Sequence, residues 1–234
     1  MAAGIRRRIA SGDLKIGDRL PTEEELTESF GIARTTLREA LRILESQGLI
    51  HIRRGRGGGA TVTMPDLERL AEPLAVMLQL HRTSVGDLDA ARRLIEPQLA
   101  AWLAKSRTDD DLAALRAAVS AASVAADAND RTAFGAAAAQ LHGTIIERAG
   151  NNTLSVLSHL LHRLVVDRYT IGAMNTDQMT IRRAVRSYEK LVDLIADGEA
   201  DSAQAHWESQ MSWVMAETSA DLLDFFEPRV HPLD

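Results

Sequence analysis

The chain has 234 residues, carries 27 Lys and Arg against 33 Asp and Glu, and contains no cysteine. The absence of cysteine excludes disulfide bonds and thiolate metal sites. No apolar stretch reaches the roughly 20 residues of a membrane-spanning helix, and the N-terminus lacks the apolar core of a signal peptide, so we expect a cytoplasmic protein with no membrane partner.

Charge divides the chain into two parts. Residues 1–63 carry 11 Lys and Arg against 8 Asp and Glu, a net charge of +3, whereas the remainder carries 16 against 25, a net charge of −9. Binding to nucleic acid depends on a local basic patch and not on the total charge, so only the first part is suited to it. We predict a domain at residues 1–63, a linker and first helix at 64–83, and a second domain at 84–234.

A short helix is predicted to begin after Thr22. This threonine can cap the helix, and Glu25 can reach back to complete a capping box. The helix ends at Gly31, because glycine suits the left-handed conformation that a turn between two helices requires.

A second helix begins at once and has one apolar and one basic face. The apolar face contains Leu37, Ala40, Leu41 and Leu44, while arginines recur every four residues at positions 34, 38 and 42. A helix that enters the major groove needs this division, because its N-terminal residues must meet base edges while its other face packs. The candidate DNA-binding residues on this helix are Arg34, Thr35, Thr36 and Arg38.

A basic, glycine-rich hairpin follows the second helix. Strands are predicted at residues 49–52 and 60–63, on either side of RGRGGG at 54–59. Glycines allow the backbone to approach the minor groove closely, which makes Arg54, Gly55 and Arg56 candidate DNA contacts. The alternative is a solvated basic loop, but its position directly after a basic helix favours the wing of a winged helix-turn-helix.

Seven helices are predicted in the rest of the chain, at residues 66–80, 84–106, 108–128, 130–149, 151–174, 177–197 and 200–226. The residues that mark their ends are Ser84 with Asp87, Thr108 with Asp111, Gly150 and Gly198. Pro73 and Pro97 fall within helical periods, where each marks a kink or a break. The predicted fold class is mainly α: an N-terminal winged helix-turn-helix with a two-stranded wing, and a C-terminal all-α antiparallel bundle of about seven helices.

The first domain resembles the DNA-binding domain of the GntR family of bacterial transcription regulators. The matching segments are GDL at 12–14, GDRLPTE at 17–23, ARTTLREAL at 33–41 and GRG at 55–57. The resemblance implies that Arg34, Thr35, Thr36 and Arg38 contact the operator, with Gly55 at the wing.

Two residues depart from the pattern of the family. Ala33 stands where a helix-capping serine or threonine is usual, and Glu24 stands where the fatty-acid regulator branch often has a DNA-contacting arginine. A carboxylate there can accept from cytosine, repel phosphate, or face solvent as a first-turn residue favoured by the helix dipole. We favour the last.

The second domain resembles the effector-binding and oligomerisation domain of the FadR subfamily. The matching segments are RRLIE at 92–96, LH at 141–142, AGN at 149–151 and LIADGE at 194–199. Many relatives bind a divalent metal there through one Asp and three His. In this chain His142 matches, but the other three positions hold Ala138, Tyr188 and Gln210, so no metal cofactor is expected. A relocated cluster is the alternative, and it would use His159, His162 and His206.

The bundle also offers side chains to a small-molecule effector. The candidate effector-binding residues are Arg92, Arg93, His142, Tyr188 and Gln210, with Tyr169, Trp207 and Trp213 as further members. Because a metal is not expected, this set suits an acyl-type effector, namely a fatty acyl compound or another hydrophobic carboxylate or thioester. The alternative is that the aromatic residues only form core and the arginines only carry surface charge.

The expected function is that of a ligand-responsive bacterial transcription regulator, by default a repressor. A homodimer would present two winged helices to palindromic double-stranded operator DNA, and the effector would weaken that binding. The alternatives are a ligand-independent DNA-binding protein whose helical domain only dimerises, and a regulator that responds to a small organic acid or a metal. An enzyme is not expected, because the chain lacks a nucleophile elbow, a phosphate-binding loop and a paired His-Glu metal motif.

Overall fold

The computed structural model describes residues 1–53, 55, 58–174 and 176–215. The chain forms two compact units, residues 1–69 and residues 70–234, and the division falls inside the first helix after the wing. Over the described ranges, no helix is both long enough and apolar enough to cross a membrane.

Among its described residues, the first unit contains three complete helices and a hairpin. The helices are α1 Ala2–Ala10, α2 Glu23–Phe30 and α3 Arg34–Ser46. The strands β1 Ile50–Arg53 and β2 Gly59–Val62 pair antiparallel, with Ile50 opposite Val62. The apolar face of α3 is buried as its spacing predicts, at Leu37, Ala40, Leu41 and Leu44. The predicted helix-turn-helix and two-stranded wing are therefore confirmed.

Local hydrogen bonds set the bounds of α2. Thr22 Oγ1 accepts from the backbone N–H of Glu25 at 3.3 Å, and Glu25 Oε2 accepts from the backbone N–H of Thr22 at 2.8 Å, which confirms the capping box. Gly31 ends α2 with φ 60° and ψ 37°, a left-handed conformation that glycine adopts without strain. By contrast, the residue before α3 is Ala33, which gives that helix no side-chain cap.

The wing has an additional edge that the sequence did not predict. Arg19 forms an isolated antiparallel bridge with Thr61, and the backbone N–H of Leu20 donates to the carbonyl of Ala60 at 2.8 Å. At the tip, a Cβ on residue 58 would lie 2.1 Å from the carbonyl oxygen of Arg53, so only glycine fits at that position. The wing is thus tied to the segment that leads into α2.

Within the described part of the chain, the helices that follow the wing are α4 Leu67–Leu80, α5 Val85–Ser106, α6 Asp109–Asp127, α7 Arg131–Arg148, α8 Asn152–Met174, α9 Gln178–Asp197 and α10 Ala200–Met215. Their bounds lie within one residue of the predicted bounds, and residues 216–226 of the last predicted helix lie outside the described residues. Helix α7 packs against α6 and α8, and α5 packs against α10. The all-α bundle is therefore confirmed.

Small side chains allow the helices of the bundle to pack closely. Ala100, Ala104 and Ala203 are completely buried among larger residues such as Leu99 and Trp207. Pro73 and Pro97 lie inside α4 and α5, which continue through them, so neither proline breaks its helix.

Side-chain caps begin several of the helices that the structure describes in the bundle, and Asn151 Oδ1 caps α8 by accepting from the backbone N–H of Leu154 at 3.0 Å. Ser84 with Asp87 and Thr108 with Asp111 form the two predicted capping boxes. Asp130 and Asp177 cap α7 and α9, and each accepts from a backbone N–H three residues later at 2.9 Å. These two aspartate caps were not predicted from the sequence.

Candidate nucleic-acid interface and interior polar cluster

The first turns of α3 present a polar, solvent-exposed surface. Arg34, Thr35, Thr36 and Arg38 are all exposed, while Leu37 between them is completely buried. Because the buried face fixes the rotation of the helix, these four side chains necessarily lie outside. The structure therefore brings together all four DNA-binding candidates predicted on this helix.

Two carboxylates of α2 lie beside the arginines of this surface. Arg38 Nε donates to Glu23 Oε2 at 3.2 Å. Arg34 Nη2 lies 3.8 Å from Glu24 Oε1, which is ion-pairing distance but too long for a hydrogen bond. Glu24 is 83% exposed, as expected for a solvent-facing first-turn residue, but it also faces an arginine of α3. The sequence did not predict either pair.

The wing contributes one described candidate. Gly55 has φ +97°, a backbone conformation that favours glycine. Arg54 and Arg56 lie outside the described residues.

A buried group of charged and polar side chains lies in the second unit. Arg92 Nε donates to Glu96 Oε1 at 2.7 Å, and Arg92 Nη1 donates to Asp89 Oδ1 at 3.4 Å. His142 Nδ1 lies 2.5 Å from Glu96 Oε2, and since an ionised carboxylate only accepts, the imidazole is the donor. Arg92 also donates through Nη2 to the hydroxyl of Tyr169. We call Asp89, Arg92, Glu96, His142 and Tyr169 the interior cluster.

Burial and charge together determine the pKa values in this region. Burial acts to raise the pKa of Glu96, but the positive charge of Arg92 and the hydrogen bond from His142 outweigh it and lower that pKa to about 2. Burial lowers the pKa of His142, although the charge of Glu96 opposes the shift. Burial also lowers the pKa of His162, to about 3. At neutral pH the Arg92–Glu96 ion pair therefore lies beside two neutral imidazoles.

Aromatic rings surround His142. Its ring centroid lies 4.7 Å from that of Trp207, 4.9 Å from Tyr169 and 6.3 Å from His162. Trp207 is in turn 6.1 Å from Tyr188. These contacts join α7, α8, α9 and α10 around one point in the bundle.

Several buried polar atoms near this point have no hydrogen-bond partner among the described residues. They are Trp207 Nε1, Gln210 Nε2, His162 Nδ1 and Ser158 Oγ, and all four residues are at least 90% buried. Buried polar groups are normally satisfied by protein or by bound molecules. These atoms can therefore form hydrogen bonds with bound water or with a ligand.

The structure relates the five candidate effector residues to this cluster in different ways. Arg92 and His142 are members of it, and Tyr188 is linked to His142 through Trp207. Gln210 is buried one turn after Trp207 on α10. Arg93 points elsewhere and donates through Nη1 to Ser212 Oγ at 3.5 Å. The side chain of Trp213 lies outside the described residues.

Sequence reasoning missed the acidic members of the cluster. Asp89 and Glu96 lie three residues before and four residues after Arg92, so all three share one face of α5. That spacing, which is typical of ion pairs on a helix, was the available signal. The contact of His142 with Glu96, 46 residues away, has no such local signal.

The residues at the relatives' metal positions do not fit a divalent ion. The four positions hold Ala138, His142, Tyr188 and Gln210, and of these only the imidazole of His142 is an ordinary ligand of a divalent ion. Of the alternative histidines, His206 bonds Ser187 and His159 bonds the carbonyl of Ser155. Among the described residues, no group of three or more His, Cys, Asp or Glu side chains is arranged to hold a metal ion.

A small surface cleft lies between α9 and α10. It has a volume of about 190 Å³ and is lined by Arg183, Ser187, His206, Ser209 and Gln210. Because Gln210 follows Trp207 by one turn, the cleft lies next to the α10 side of the interior.

Comparison with known proteins identifies both units. Residues 1–59 match the family model for "Bacterial regulatory proteins, gntR family", and residues 87–212 match the model for the FCD domain. The second match alone covers more than half of the chain.

Individual relatives extend over most of the chain. It is 27% identical over 203 residues to the HTH-type transcriptional regulator LutR of Bacillus subtilis, covering 84% of this chain and 90% of that protein. It is 28% identical over 207 residues to the galactonate operon transcriptional repressor of Escherichia coli, covering 86% and 87%. A solved structure of Streptococcus agalactiae GntR, at 21% identity, has the same fold with a TM-score of 0.69, covering 91% of this chain and 96% of that one.

Proposed function

The chain belongs to the GntR family of bacterial regulatory proteins and carries an FCD domain, and we propose that it is a ligand-responsive repressor of transcription. One observation carries the proposal: α3 combines a completely buried Leu37 and Leu44 with an exposed first turn of Arg34, Thr35 and Thr36. A helix supported in this way can enter the major groove without loss of its core.

The proposed DNA contacts lie on α3 and on the wing. Arg34 and Arg38 would meet guanine acceptors or phosphates, and Thr35 and Thr36 would meet base edges or backbone. Arg54, Gly55 and Arg56 would approach the minor groove or its phosphates. We propose residues 1–63 as the DNA-binding domain, 64–83 as the linker with the first helix, and 84–234 as the effector-binding and dimerisation domain.

We also propose that the protein acts in the cytoplasm as a homodimer on a palindromic operator. The surface of the second unit supports self-association, because Leu70, Met77, Leu80 and Leu94 are large apolar residues that are 46–82% exposed. Burial of such side chains against a second copy lowers the free energy of the protein and favours association. Two-fold symmetry of the protein would then match two-fold symmetry of the DNA.

The proposed effector site is the interior of the bundle, at Arg92, His142, Tyr188 and Gln210, and the candidate Arg93 lies on the same helix as Arg92 but points elsewhere. The RRLIE segment at residues 92–96, by which this domain resembles the FadR subfamily, supports that subfamily and, with it, an acyl-type carboxylate or thioester as effector. A small organic acid is the second candidate, supported by the unpartnered donors Trp207 Nε1 and Gln210 Nε2. In either case, binding would change the spacing of the two winged helices and weaken DNA binding.

The DNA site is tested first by replacing Arg38. The operator is selected from random DNA with the unmodified protein, and Arg38→Ala is then measured on it. Loss of a bidentate base contact is expected to weaken binding by about 1–3 kcal/mol and to relax specificity at one base pair. Arg42→Ala is the matched control, since Arg42 is exposed further along α3 and its loss should have a smaller, sequence-independent effect. Unchanged specific binding by Arg38→Ala would remove α3 from the DNA site.

The effector site is tested by thermal shift and tryptophan fluorescence with fatty acids, acyl thioesters and small hydroxy acids. A true effector should raise the melting temperature, release operator DNA, and alter emission in a way that Trp207→Phe abolishes. Chemical turnover of the ligand would instead indicate an enzyme. Stabilisation by none of these compounds would favour the ligand-independent DNA-binding protein.

A further inference from the structure

Two adjacent carboxylates in the first turn of α2 contact two arginines of α3 in different ways. Glu23 accepts a hydrogen bond from Nε of Arg38 at 3.2 Å. Glu24 lies 3.8 Å from Nη2 of Arg34 and forms no hydrogen bond at that distance. The two glutamates are neighbours on one short helix with the same charge, but they engage different nitrogens of the guanidinium group.

The choice of nitrogen determines what each arginine can still offer to DNA. A guanidinium group is a rigid planar fork, and a bidentate contact to guanine needs two of its N–H groups directed at O6 and N7. When Nε of Arg38 is held by Glu23, the terminal pair Nη1 and Nη2 points away from the carboxylate. Glu23 therefore leaves the end of the fork for a base, whereas Glu24 lies near Nη2, one of the two terminal nitrogens that Arg34 needs for the same contact.

Stability does not explain the Glu23–Arg38 pair. Both side chains are largely exposed, Arg38 by 67% and Glu23 by 47%, and exposed ion pairs contribute little to folding. The backbone of Glu23 is nevertheless held in place, because the Thr22–Glu25 capping box closes the first turn of α2. An acceptor on this anchored backbone restricts the flexible arginine before DNA arrives and so reduces the entropy lost on binding.

We propose that Glu23 is a positioning residue that orients Arg38 for end-on recognition of a guanine, and that Glu24 competes with DNA for Arg34. The proposal rests on the DNA-binding role of α3 proposed above. It assigns opposite effects to two neighbouring residues of identical charge. Glu23 increases discrimination between bases, whereas Glu24 lowers affinity for DNA of any sequence.

The test compares Glu23→Ala with Glu24→Ala, which each remove one negative charge from the same turn. Dissociation constants are measured on the selected operator, on every single-base variant of it, and on unrelated DNA, at several salt concentrations. Glu23→Ala should lose about tenfold in discrimination at one G·C pair, because Arg38 is no longer held in position. Glu24→Ala should bind all of these DNAs more tightly and keep the discrimination of the unmodified protein.

Two further variants separate positioning from simple repulsion of phosphate. Glu23→Gln keeps an oxygen acceptor for Nε without the charge, so it should recover part of the lost discrimination. In an Arg38→Ala background, Glu23→Ala should have no further effect on discrimination. If both alanine variants only tighten binding equally, with discrimination retained, the glutamates act through charge alone and the proposal is wrong. If Arg38→Ala itself leaves specific binding intact, the proposed DNA site has failed instead.

Discussion

The two units of this protein use arginine in opposite ways. In the winged helix, Arg34 and Arg38 are 70% and 67% exposed and lie beside exposed glutamates. In the helical unit, the Arg92 side chain is 4% exposed and its partner Glu96 is 1% exposed. The exposed arginines are proposed DNA contacts that would exchange a carboxylate for DNA. The charge of the buried arginine is instead compensated by its partners in the bundle. Solvent exposure, and not residue type, therefore separates the arginines that can reach DNA from the one whose charge is compensated inside the bundle.

The largest expected difference between the units is in the free energy of unfolding that is lost when one carboxylate is removed from each. Glu96→Gln would leave the buried Arg92 without its closest anionic partner, which typically costs about 3–5 kcal/mol. Urea unfolding followed by far-UV circular dichroism measures this change in the free energy of unfolding. Glu24→Gln is the matched control, because it removes the same charge from an exposed pair that contributes about 0–1 kcal/mol. Similar losses in both variants would contradict the distinction between the two kinds of arginine.

We expect the loss of stability between pH 7 and pH 4.5 to arise mainly from the helical unit. The pKa of His162 is lowered by burial from an ordinary value of 6.5 to about 3, so protonation favours the unfolded state. The stability that neutral His162 contributes is complete above pH 6.5 and is lost as the pH falls toward 3. Between pH 7 and pH 4.5 this loss should amount to roughly 2–3 kcal/mol.

His162→Gln should reduce that pH dependence, because glutamine does not titrate in this range. The free energy of unfolding at pH 7 and at pH 4.5 is measured for both proteins, and the difference between the two pH values is compared. Glu96, with its pKa lowered from 4.5 to about 2, loses its stabilising charge only below this window. The same slope in the variant would show that other groups govern acid sensitivity.

The smallest expected effect is an increase in the stability of the winged helix when a capping residue is added before α3. Helix α3 begins after Ala33, whose φ of −70° and ψ of 149° suit a capping residue, but whose side chain has no acceptor. Ala33→Ser should add a hydrogen bond to the first turn and stabilise the unit by about 0.5–1 kcal/mol, measured by thermal denaturation. Ala33→Val provides no acceptor and should give no gain. Equal melting temperatures for serine and valine would show that this end of α3 is already satisfied.

Short-range chemistry explains why so much of the fold could be predicted. The capping boxes at Thr22, Ser84 and Thr108 involve residues three apart, and the buried face of α3 follows a period of 3.6 residues. Asp130 and Asp177 were missed as caps because each lacks the acidic residue three positions later that completes the box. The predicted starts of α7 and α9 were nevertheless within one residue of the observed starts.

The sequence by itself determined the elements, their order, and which face of α3 is polar, because these depend on residues a few positions apart. Only the tertiary structure decided which polar groups meet: Glu23 with Arg38 across 15 residues, Glu96 with His142 across 46, and Arg92 with Tyr169 across 77. Packing of whole helices brings these groups together, and burial then changes their charge states. A sequence pattern contains neither the packing of distant helices nor the burial of a side chain. It could therefore indicate Arg92 and His142 as candidates, but not that Glu96 lies between them.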